Sequence, residues 1–137
     1  MAEFFNPEVV WPPFGAFSMA AVPGNGQVVQ LKGQVALDQD GAVVGKGDMA
    51  GQLVQVLENI GAVLGAVGGR MADIYALSTF TTDIETFMTL GGIRARYFEP
   101  PYPVTTTVEV ARLYHPDLTV EIAATAEIPR ARYTRFA

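Results

Sequence analysis

The sequence predicts an α+β fold, a mixed β-sheet with two helices packed on one face. Three observations predict it. Strand-like segments lie both before and after the helices, so the chain is not a strictly alternating doubly wound one. Leu53, Leu57, Ile60 and Leu64 fall on one face at helical spacing. The segment Thr105–Ala126 reads as two strands joined by a turn, with Glu121 inside the second apolar run.

The elements follow in order. Residues 1–15 carry Pro7, Pro12 and Pro13 and predict an irregular lead-in. Ala16–Val22 reads as a strand, Pro23–Gly26 as a turn and Gln27–Ala36 as the return strand. Asp40-Gly41 marks a tight turn before a short strand at Ala42–Val44. Asp48 is the expected N-cap of the first helix, whose polar side is filled by Gln52, Gln55, Glu58 and Asn59. Gly61 and Gly65 suggest close approach to the sheet, because glycine inside a helix costs roughly 1 kcal/mol against alanine. Gly68-Gly69 ends this helix. Ile74–Thr82 is a strand by its β-branched and aromatic content. Asp83 caps a second helix running to about Phe98, before Pro100, Pro101 and Pro103.

Composition bounds the function. The chain has 137 residues, of which 50% are hydrophobic and 17% charged, enough for one core and too apolar for disorder. Residues 1–137 are read as a single domain. The net charge is −5, which argues against a nucleic-acid partner that would need a basic stripe. Arg130, Arg132 and Arg135 read as a solvated or subunit-binding tail. With no cysteine and one histidine, thiol catalysis, disulfides and Cys- or His-rich metal sites fall away. No signal-peptide pattern and no uncharged apolar run of about 18 residues is present, so a soluble cytoplasmic protein without membrane contact is expected. The largely apolar second sheet face should be buried by self-association.

Several residues stand out chemically. A carboxylate inside an apolar strand must be paired, hydrogen-bonded or wet, which makes Glu121 the candidate catalytic group. Thr105 and Thr107 alternate onto one face and are candidate ligand contacts. Gly33 reads as backbone exposed to a ligand, since a strand glycine often marks close approach. Glu109 and Arg112 read as an intersubunit or intrasheet charge pair, and His115 as an exposed turn residue. Gly24-Asn25-Gly26 joins two strands and opens no helix, so it is not a phosphate loop.

Five anchors in order resemble one family. Phe17-Ser18-Met19-Ala20 is similar to its Tyr-Ser-x-Ala segment, and Lys32-Gly33-Gln34 to its Ser-Gly-Gln. Gln52 to Ile60 resembles its Q-x-x-x-x-L-E-N-I/V helix. Val108–Leu113 reproduces its V-E-V-A-R-L strand, and Val120-Glu121-Ile122 with Ala124 and Ala126 resembles its last strand. The chain thus resembles the RidA/YjgF family (reactive intermediate deaminases, also called L-PSP endoribonuclease-like) over residues 17–127, leaving 128–137 as a C-terminal extension. The resemblance implies a chorismate-mutase-like fold and a homotrimer with a central β-barrel and pockets at subunit interfaces. It also implies hydrolysis of reactive imines or enamines such as 2-aminoacrylate, without metal or organic cofactor.

The resemblance also assigns residues. It implies that Glu121 positions water, that the Gly33 backbone faces the pocket, and that Phe17 stands where a pocket tyrosine is usual. Gly91 corresponds to a second-helix asparagine. The carboxylate-binding arginine falls at Thr105, followed by Thr106 and Thr107 where many members have Ser-Cys. A guanidinium gives a carboxylate two charge-assisted hydrogen bonds, and a threonine gives one neutral one. The expectation is therefore a less anionic ligand, or a second arginine, Arg94 or Arg96, reaching in. A non-catalytic ligand-binding or regulatory trimer is the alternative function, with a ribonuclease third.

Overall fold

The computed structural model describes residues 1–136, so position 137 of the C-terminal extension lies outside the described residues. The main sheet has β7 (Val120–Ile128) inside it, antiparallel to β5 (Ile74–Thr81) on one side. On its other side β7 pairs with β3 (Gln27–Gln30) and β4 (Gln34–Val35), both antiparallel. Beyond β5 lies β6 (Val104–Glu109), parallel to it. The sheet is mixed, as expected, and the fold is α+β.

Helix α1 (Met49–Gly65) is capped where the sequence places the cap: the Gly51 amide donates to Asp48 Oδ1 at 3.0 Å. Its Leu53, Leu57, Ile60 and Leu64 are all buried, together with Val56. Each such side chain contributes about 1.5–3 kcal/mol on leaving water. They pack on the buried residues of β7, where Val120, Ile122, Ala124 and Ala126 alternate onto the helix side.

The helix's polar side is less exposed than the sequence suggests. Gln52 is completely buried. Its Nε2 donates to the carbonyls of Gly45 (3.2 Å) and Asp117 (2.7 Å). Its Oε1 accepts from the Thr119 amide (2.8 Å) and hydroxyl (2.9 Å). Both ends of the amide are satisfied, so burial carries no unpaired polar group. Asn59 likewise donates to the carbonyls of Val35 and Leu37 and so holds the β4 segment on α1.

Several expected elements differ. The lead-in contains a strand, β1 (Glu3–Phe5), paired with β2 (Ala20–Val22) in a separate two-stranded sheet. Therefore the turn at Pro23–Gly26 joins strands of different sheets and closes no hairpin. The expected return strand breaks over residues 31–33 into β3 and β4, and the segment at Ala42–Val44 shrinks to a bridge between Leu37 and Val43. The second helix is interrupted into α2 (Ile84–Met88) and α3 (Gly91–Arg94), the break falling before two helix-weakening glycines. Gly61 and Gly65 do not mark a close approach: a Cβ at Gly61 would make ordinary contact with Met71, and one at Gly65 would meet nothing. The two strands of Thr105–Ala126 are not a hairpin either, since β5 lies between them.

The arginine-rich tail is built into the fold. Arg132 clasps the buried Asp73 with two bonds, of 2.9 and 2.6 Å, and also donates to the Gly68 carbonyl. Arg130 donates to the Asn25 carbonyl at 2.7 Å. A fixed guanidinium suits the bidentate geometry of Arg132, which is structural rather than solvated, while Arg130 remains exposed.

Candidate functional site

Glu121 lies on β7 opposite Phe80 of β5 and Val35 of β4. The buried neighbours Val120 and Ile122 point to α1, so Glu121 points to the other face. None of the ion pairs among the described residues involves it. Its carboxylate rests directly over Gly33: an ideal Cβ at position 33 would collide with Oε2 and lie 3.0 Å from Cδ. A side chain at position 33 would therefore push the carboxylate out of this place. The break between β3 and β4 at Lys32-Gly33 is what opens this room.

Glu121 and Gly33 line a cleft of about 940 Å³ with Lys32, Gln34, Gln55, Asn59 and Tyr114. The cleft brings one carboxylate together with one ammonium, side-chain amides and a phenol. Asp38 also borders it, but its Oδ1 is occupied by the amides of Asp40 and Ala42, each at 2.9 Å. Sequence reasoning missed Lys32, Gln55 and Tyr114 as cleft residues. Tyr114 sits in the loop between β6 and β7, and no local pattern points that loop back at Gly33. Among the described residues no group of three or more His, Asp or Glu side chains converges to hold a metal.

The other candidates lie elsewhere in the chain. Thr105 is in register with Leu77, and Thr107 with Thr79, both of which face α1. They are thus on the opposite sheet face from Glu121, with β5 in between. Phe17 lies beside the start of β6, because Ser18 bridges Val104 and its amide donates to the Pro103 carbonyl at 3.1 Å. Gly91 opens α3 and is exposed, and a methyl group added there would touch nothing. The chain therefore carries two separate groups, Gly33 with Glu121 where β4 meets β7, and Phe17 with Thr105 and Thr107 at the β6 edge.

The remaining charges sort into structural and free. Glu127, six residues after Glu121, is buried and accepts from the Gly26 amide at 2.8 Å, with the amino terminus 3.6 Å away. Burial pushes its pKa up, but the Gly24 and Gly26 amides and the terminal amine more than offset this and hold it below the ordinary value. Glu109 accepts from the Ile84 amide at 3.0 Å, while Arg112 donates to the Leu113 carbonyl, so the two do not pair within the chain. His115 is half-buried and its Nδ1 accepts from the Asp117 amide, which makes it a turn residue. Arg94 lies 5.9 Å over the Phe98 ring, and burial lowers its pKa. Arg96 is exposed.

Comparison with known proteins identifies the family. Residues 10–128 match the family model described as endoribonuclease L-PSP. A RutC family protein of Pyrococcus horikoshii is 34% identical over 92% of this chain and 98% of its own length. The 3-aminoacrylate deaminase RutC of Acinetobacter baylyi is 32% identical over 92% of this chain and 98% of its own. The crystal structure of YyfB from Yersinia pestis, a Rid-family protein of unknown function, superposes with a TM-score of 0.83 at 30% identity, covering 93% of this chain and 98% of that one. RidA from an Antarctic Psychrobacter superposes at 0.68 with 30% identity, over 85% and 91% of the two chains. By the family match across both the Gly33 and the Glu121 segments, the chain belongs to the endoribonuclease L-PSP family, the same RidA/YjgF family that its strand and helix motifs resemble.

Proposed function

We propose that the protein hydrolyses a small reactive imine or enamine. The observation that carries this reading is the unpaired Glu121 carboxylate lying over Gly33 in an open cleft. Glu127 provides the contrast, since its carboxylate is buried and held by the Gly26 amide. The presence of a 3-aminoacrylate deaminase among the relatives supports the same reaction class. In the proposed reaction Glu121 takes a proton from water as the oxygen adds to the C=N carbon. Glu121 passes that proton to the nitrogen, giving the carbinolamine; it then takes the hydroxyl proton and the nitrogen gains it, so that the C–N bond breaks and ammonia leaves a carbonyl product. General base catalysis of this kind contributes about 10²–10⁴-fold.

The complete site in this proposal is shared between copies of the chain in a homotrimer. The β6 edge of one copy, with Phe17, Gly91, Thr105 and Thr107, meets the β4–β7 edge of the next, with Gly33 and Glu121. The separation of the two groups within one protomer supports this, as does the sheet face left without a helix, where Val108 is exposed. A second reading, a non-catalytic ligand-binding trimer, is favoured by Thr105, a neutral residue at the position where the family resemblance expects a carboxylate anchor. The two separate by measuring ammonia release from enzymatically generated imines, with and without the protein. A rate no faster than buffer across charged and neutral imines would leave only the binding role.

A further inference from the structure

The cleft that holds Glu121 and Gly33 carries one cation. Lys32 is the only basic residue among those lining it. Among the described residues Lys32 makes no ion pair, whereas Lys46, the chain's other lysine, reaches Asp117 at 3.8 Å. Glu121 borders the same cavity, yet the two opposite charges do not pair with each other. The cleft's other acid, Asp38, gives Oδ1 to the amides of Asp40 and Ala42. Within the chain neither Arg94 nor Arg96 lines this cleft, and Arg96 borders a different cavity with Pro100 and Pro101. The expected replacement arginine is thus not supplied by the chain that carries Glu121.

The backbone on both sides of Lys32 is fixed. The amide of the buried Leu31 donates to the Ala124 carbonyl at 3.0 Å, and the Lys32 carbonyl accepts from the Gln34 side-chain amide at 3.2 Å. The next residue is Gly33, over which the Glu121 carboxylate rests. A ligand seated against Gly33 therefore has a carboxylate on one side and an ammonium on a four-carbon stem beside it. Charges of opposite sign sort the two ends of such a ligand. An anionic end is repelled by Glu121 and drawn to Lys32, which leaves an adjacent electrophilic carbon facing Glu121.

We infer that Lys32 binds the anionic group of the ligand and so sets which end of it meets Glu121. Lys32 is then the specificity-determining residue of the cleft, on the Gly33 side and not at Thr105. The ligand class is a small carboxylate with its electrophilic carbon next to the anionic group. A lysine is a point charge without the fork of a guanidinium, so it accepts a range of carboxylate orientations. The inference rests on the imine reading for the place of the ligand, but the binding it describes needs no chemistry.

Calorimetric titration tests it with 2-oxobutyrate and 2-oxobutyramide, which differ in charge and hardly in shape. Both are titrated into the wild-type protein, Lys32→Gln and Lys32→Arg. Lys32 lies outside the hydrophobic core, so neither variant threatens the fold. The expected result is 2-oxobutyrate binding at least about tenfold tighter than the amide in the wild type. Lys32→Gln should remove about that factor for 2-oxobutyrate and leave the amide unchanged, and Lys32→Arg should keep most of it. Equal affinity for the two ligands in the wild type overturns the inference, and so does a preference that survives in Lys32→Gln. A preference lost only together with self-association in sedimentation velocity also overturns it, by making Lys32 a contact between copies. Lys32-dependent binding without turnover of any imine would remove the hydrolase reading and leave the anchor standing. Turnover of carboxylate imines that Lys32→Gln leaves unchanged would do the reverse.

Discussion

The carboxylate of Glu121 occupies the space that a side chain at Gly33 would fill. Two segments that are distant in sequence are thereby fitted to each other at the point where the proposed reaction places its base. Gly33→Ala is expected to displace the carboxylate while leaving the fold intact, because position 33 is only half-buried. Displacement of about 1 Å can cost roughly 10²-fold in rate. The check is ammonia release from imine beside a far-UV circular dichroism spectrum. A variant with unchanged rate would show that the contact has no functional role.

Gln52 and Thr119 provide a structural counterpart. Gln52→Leu keeps the volume and leaves the Thr119 amide and the Asp117 and Gly45 carbonyls without their partner. Each buried group so orphaned costs about 1–3 kcal/mol, and relaxation recovers part of the sum. A loss of about 3 kcal/mol in urea unfolding is expected.

The clasp of Arg132 on Asp73 should matter more than a surface ion pair. Asp73 is buried, with 2% of its side chain exposed against 27% for Arg132. Arg132→Ala leaves that buried carboxylate without its counter-charge and should lower the Tm. Arg132→Lys keeps the charge but loses the fork and should fall between the two. Thermal unfolding of the three proteins checks the order.

Glu127 makes stability depend on pH in a defined direction. Its folded pKa lies below the ordinary carboxylate value, despite the burial that opposes this. The stabilisation is therefore complete above the unfolded value and is lost as pH falls through the folded one. Glu127→Gln should have a lower Tm than wild type at neutral pH, and the gap should narrow on acidification. A gap that stays constant with pH would show that the charge is not the cause.

Much of this was legible in the sequence because the signals were local. The leucine spacing of α1, the Asp48 and Asp83 caps and the alternation of β7 each lie within one element. The carboxylate at 121 and the glycine at 33 could be named from their misfit to a strand. What was not legible depended on pairings across the chain. Nothing near Gln52 announces its bonds to Thr119, 67 residues away. Pro7, Pro12 and Pro13 suggested an irregular start and hid the short β1, whose partner is β2. The charge-rich tail suggested solvent, whereas Asp73 had already been placed to receive Arg132. The opposite facing of Thr105 and Glu121 follows from β5 entering between their strands, which no spacing within residues 105–126 reveals.

Glu121→Gln tests the central claim most directly. The change keeps the shape over Gly33 and removes the proton acceptor. Ammonia release is followed from imines generated in place by an amine or amino-acid oxidase, with aryl and alkyl, charged and neutral members. The expected result is acceleration over buffer by the wild-type protein for at least one imine, and a loss of about a hundredfold or more in Glu121→Gln. Equal rates for the two proteins, with the imine demonstrably consumed faster than in buffer, would contradict it.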